Sequence, residues 1–203
     1  MSSKAAGLYG ILATVWFTTA LLVFADIYPG YTHATKAVSE LGAIGAPHQH
    51  AWNVLGFLVP GILLAFHGWG LGVNAGDRIA GAGFALSGMA FAATCIPANM
   101  DDFNTPTSQA HIAASLAVFV FWLAASLRLT MGSAATSKAL VQATTACLWL
   151  AGVAALIRFS GLLYPGTGQR LAFAAHFAWI LSTALILLIT REQDQDRFER
   201  QTV

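Results

Sequence analysis

Five side chains in this sequence have the types and placement for acid/base work: Glu40, Asp101, Asp102, His111 and His176. Carboxylates beside imidazoles make an acid/base pair, a proton relay or a metal site. No HExxH-type spacing occurs, so the choice among these stays open and any metal or cofactor is unknown. Ser39, Asn53, Arg158 and Arg170 are candidate binding residues, the two arginines for a phosphate. The bland readings differ in strength. His33, His48 and His50 lie in a connection and read as solvated. Asp101 and Asp102 precede an apolar run, where a helix N-terminus favours negative charge, so capping accounts for at least one of them. Arg158, His111 and His176 fall inside apolar runs, where ionisable groups are costly and need a partner. Glu40, Asp101 and Asp102 are the carboxylates expected to pair with Arg158.

The elements that must hold these residues are membrane helices. Of 203 residues, 57% are hydrophobic and 9% charged, against roughly a quarter charged in soluble domains. Six stretches approach the length of about 20 apolar residues that a span needs: 6–25, 51–74, 79–97, 108–131, 139–163 and 169–190. The fold class is therefore all-α, an integral membrane bundle of six transmembrane helices forming a single domain over 1–203. Residues 191–203 form a short charged tail that continues the last helix into water, with Asp196 and Arg200 one turn apart. A signal peptide would need a shorter apolar core than the first stretch has. Lys4, Arg78, Arg128, Lys138, Arg191, Arg197 and Arg200 would share one side, against Lys36, Arg158 and Arg170 on the other. Seven basic residues against three predict cytoplasmic termini. Cys95 and Cys147 would lie at different depths and stay unpaired. A net charge of +1 offers nothing to nucleic acid.

Two further patterns concern helix breaks. Tyr28-Pro29-Gly30 and Tyr164-Pro165-Gly166 echo each other, and each reads as a helix stop. Pro60 with Gly61 would permit a broken second helix, as transporters use.

One set of residues carries a resemblance. Tyr28-Pro29, Ser39-Glu40-Leu41-Gly42, Asn53, Pro97 with Asp101 or Asp102, His111 and Gly168-Gln169-Arg170, in that order, resemble the prokaryotic membrane proteins grouped as domain of unknown function 998. The resemblance spans nearly the whole chain. It implies a six-helix fold in a prokaryotic cytoplasmic membrane and no particular activity.

Four functions compete. Action on, or binding of, lipid headgroups at the outer leaflet leads, with membrane lipid as the partner. The alternatives are an accessory subunit contacting other membrane proteins, a small proton-coupled transporter, and a haem protein using His111 and His176. His67 is placed too deep on the other side to pair with either. The leading reading expects Ser39, Glu40, Asp101, Asp102, His111, Arg170 and His176 to converge on one cavity beneath the first connection.

Overall fold

The computed structural model describes the chain except residues 133–136, 162 and 202–203, and side chains except also those of 158, 159, 165 and 190–201. Among the described residues there is no strand. Six helices run α1 Ser3–Asp26, α2 Gln49–Asn74, α3 Arg78–Ala93, α4 Pro106–Met131, α5 Lys138–Phe159 and α6 Pro165–Gln201. Five of them are long and apolar enough to cross a membrane; α3, with 16 residues, is shorter. It stops at Ala93, short of Pro97, because the residue before a proline is pushed out of helical geometry.

The helices form a ring in chain order, and α6 closes it against α1. The α2–α3 hairpin is the tightest contact and the α4–α5 seam the loosest; α4 and α6 make little direct contact. Without hydrophobic drive in lipid, close approach depends on small residues. A methyl group on Gly72 would strike the backbone of Gly81, and one on Gly61 the backbone of Ala92. Rings fill the interior, where Phe17 stacks on Phe177 with centroids 4.6 Å apart and meets Phe91 edge-on at 5.5 Å.

Pro60 does not break α2. A six-residue π-turn, Asn53–Leu58, precedes it, and the helix continues to Asn74. In this register Val59 N–H bonds Val54 O, so Leu55 O would look to residue 60, a proline without an N–H. Trp16 Nε1 donates to that carbonyl instead, at 2.8 Å. The expected broken helix is therefore a widened one whose spare carbonyl α1 satisfies. The Tyr-Pro-Gly echo also needs correction. The first copy follows the end of α1, with Gly30 at φ +70°. The second opens α6, because proline at a first helical position has no N–H to leave unsatisfied.

The connection from α1 to α2 caps one end of the bundle. Val38 and Leu41, on a 3₁₀ turn at Val38–Gly42, are buried as an apolar plug. Ile44 N–H reaches Ala98 O at 2.9 Å, and Thr167 N–H reaches Ala34 O at 2.9 Å, which ties the connection to the 3–4 loop and to the first turn of α6. We call this the loop end, and the opposite one, where Ser3 begins α1, the terminal end.

Candidate functional site

At the loop end Glu40, Asp102 and Arg170 form a rim in which each side chain has a partner close by. Glu40 Oε1 accepts from Ala37 N at 2.7 Å and Oε2 from Lys36 Nζ at 3.0 Å. That ammonium is held above its ordinary pKa by the Glu40 hydrogen bond. Arg170 engages all three nitrogens. Nε donates to His33 Nδ1 at 3.1 Å, Nη1 to Lys36 O at 2.8 Å and Gly166 O at 3.0 Å, and Nη2 to the Tyr31 hydroxyl at 2.6 Å. Burial raises the Tyr31 pKa, and the arginine's charge only partly offsets it. Burial first, and the Arg170 charge second, lower that of His33. His33 is exposed to solvent, as its place in a connection predicts. It is the neutral acceptor for a guanidinium.

The aspartate pair does not cap α4. Thr105 is the N-cap and accepts from Ser108 N–H at 3.3 Å. Asp102 Oδ1 accepts from Asn104 N at 2.8 Å within the 3–4 connection, and Asp101 N–H bonds Asn99 Oδ1. Both aspartates are exposed. Asn53 Nδ2 donates to Gly42 O at 2.9 Å, so this buried amide fastens the plug to α2. The Arg158 side chain, and with it the expected pairing, lies outside the described residues. Glu40, one of the three carboxylates expected to pair with it, is bonded to Lys36.

Beneath the plug lies a cavity of about 70 Å³ in the gap between α4 and α6. Ser39, His111 and Gln169 reach it, joined by Thr94 and Ser115. Phe57, Phe91, Val118, Phe119, Ala172 and Phe173 complete the wall. His111 Nδ1 sits 2.8 Å from Ile96 O. A carbonyl only accepts, so Nδ1 carries a proton, and in the neutral ring Nε2 keeps the lone pair. Gln169 Oε1 accepts from Val38 N–H at 2.7 Å, which orients its amide from the plug side. Of the residues expected to converge, the wall holds Ser39 and His111 and not Glu40, Asp101, Asp102, Arg170 or His176.

A family model described as a protein of unknown function, DUF998, matches residues 11–186. The chain belongs to this family. No curated protein and no solved structure matches it. The DUF998 match takes in α2 to α5, parts of α1 and α6, the plug and the cavity wall.

His176 occupies a second, deeper compartment of this DUF998 bundle, and His67 shares its wall. The depth argument that kept His67 apart from His176 is therefore corrected: α2 and α6 cross here, and both rings pack on Trp179. His67 Nδ1 donates to Ala6 O at 2.9 Å, and Nε2 lies 3.1 Å from Thr183 Oγ1. Both ring nitrogens of His67 are thus occupied, and neither faces a carboxylate. Among the described residues no group of three or more His, Cys, Asp or Glu side chains is placed to hold a metal ion. Cys95 and Cys147 are both free. Ser115, Thr94 and Trp122 were not singled out from the sequence. A signal existed for Ser115, four residues after His111 and so on the same helical face.

Proposed function

We propose that this protein binds the neutral polar end of a lipid-like amphiphile in the His111 cavity, within a prokaryotic cytoplasmic membrane and with both termini cytoplasmic. The observation that carries the reading is the composition of the wall. Six apolar residues face five neutral hydrogen-bonding ones, and no cation or carboxylate is among them. Such a lining suits a hydroxyl or ester held against rings. It suits a phosphate poorly, because the nearby guanidinium of Arg170 is already committed to Tyr31, His33 and two carbonyls. His111 Nε2 would accept the ligand hydroxyl, and the plug would exclude water. The loose α4–α5 seam is the natural side entrance for a tail.

Titration of delipidated protein with a fluorescent diacylglycerol tests this. Saturable binding is expected, competed by unlabelled diacylglycerol and not by phosphatidylglycerol. His111→Phe removes one acceptor worth about 1 kcal/mol, so affinity should fall about fivefold. Equal competition by the phospholipid, or no change in His111→Phe, would contradict the proposal. A silent cavity together with a copurifying membrane protein would favour the accessory-subunit reading.

A further inference from the structure

Two polar atoms in the deeper compartment have no partner among the described residues: Trp122 Nε1 and His176 Nδ1. Each side chain belongs to a residue only 3% exposed. Their rings meet edge to face, with centroids 5.1 Å apart. An indole N–H or imidazole nitrogen left bare in an apolar interior costs of order 1–3 kcal/mol, so such atoms call for a ligand. Both residues line one cavity, together with Ser87, and its volume is about 10 Å³. That is about one water-sized sphere, at the lower limit of the space a buried water needs. Ser87 Oγ–H is spent on Val118 O at 2.7 Å, which leaves the oxygen's lone pairs able to accept. The compartment thus presents one donor, Trp122, one acceptor, Ser87, and His176 Nδ1, which is a second acceptor when the ring proton is on Nε2. A water molecule offers the complement, and about three hydrogen bonds is the usual number for a buried one. His67 supplies wall without competing, since Ala6 O and Thr183 occupy its nitrogens.

We propose that this compartment is a water-binding site, in which one water accepts from Trp122 Nε1–H and donates to His176 Nδ1 and Ser87 Oγ. The water joins α3, α4 and α6 at a level where α4 and α6 make little direct contact. It also fixes the proton of neutral His176 on Nε2.

Nuclear magnetic resonance on protein labelled with ¹⁵N at Trp and His, in lipid nanodiscs, tests the site. The chain has six Trp, and Trp122→Phe assigns the Trp122 indole signal. The Trp122 indole proton should show a dipolar contact to a long-lived water, and His176 Nδ1 should resonate as an unprotonated acceptor. In His176→Phe the water contact should disappear while the indole signals of Trp16, Trp52, Trp69 and Trp149, outside the compartment, stay in place. Absence of any water contact in the parent would overturn the proposal. So would a scalar coupling between Trp122 Nε1 and His176 Nδ1, which marks a direct bond, or a water contact that survives in His176→Phe.

Discussion

Arg170 Nη2 donates to the Tyr31 hydroxyl at 2.6 Å, with the guanidinium lying 5.6 Å from the ring centre. One residue of α6 thereby grips a connection 139 positions earlier in the chain, and its other nitrogens hold His33 and the Lys36 carbonyl. This grip keeps the Val38–Leu41 plug seated over the cavity.

Arg170→Lys should loosen the plug although it keeps the charge. An ammonium cannot reproduce a planar fork bonded at three nitrogens. We expect a loss of about 2 kcal/mol in detergent melting and faster amide exchange over residues 31–44. An unchanged exchange pattern would mean the plug is held without the Arg170 grip, by its apolar residues and the Asn53 and Gln169 bonds.

The same contact makes the plug sensitive to pH. His33 accepts from Arg170, so it must be neutral at Nδ1, and its folded pKa lies below 6.5. Between that folded value and 6.5 the unfolded chain binds more protons, so stability rises with pH and is lost as pH falls. Amide protection factors in the plug, taken relative to the intrinsic exchange rate at each pH, should fall as pH drops below about 6.5. His33→Gln, which retains an acceptor, should flatten that response.

Trp16 and Pro60 should be energetically coupled. Trp16→Phe strands the Leu55 carbonyl in lipid and should cost about 1 kcal/mol. Pro60→Ala supplies an N–H at residue 60 that can bond Leu55 O, so Trp16→Phe should cost much less in that background. A double-mutant cycle on thermal stability reads the difference directly. Additive effects would mean the indole bond contributes nothing.

The α2–α3 contact should tolerate no side chain at Gly72. Gly72→Leu places atoms where the Gly81 backbone sits and should destabilise by about 1–3 kcal/mol or more. Gly152→Ala on α5 is the control, since nothing lies within 4 Å of its added methyl. It should be neutral or slightly stabilising in the same melt.

The helices were legible from hydropathy because each one must satisfy its backbone within itself. Their ends were less legible: the third span read to Pro97 stops at Ala93, and Pro165, read as a helix stop, opens α6. The charged candidates drew attention because charge is rare in this chain. The partners of Arg170, however, are fixed by contacts such as that to Tyr31, 139 positions away, which no local pattern encodes. The cavity wall was only half visible for the opposite reason. Thr94 and Ser115 are neutral residues in apolar runs and read as packing until α4 and α6 are seen to part. His67 was misplaced because depth was judged along each helix separately, without the crossing that brings α2 to α6.

Photolabelling tests the central claim most directly. A diacylglycerol carrying a diazirine near its hydroxyl should be loaded into the protein in nanodiscs, illuminated, and the attachment sites mapped by peptide mass spectrometry. Labels are expected on α4 and α6 around Ser115, Phe119, Gln169 and Phe173, which line the cavity, and His111→Phe should reduce them about fivefold. Labels confined to the lipid-facing residues Leu116, Val120 and Trp149, unchanged in His111→Phe, would contradict the account.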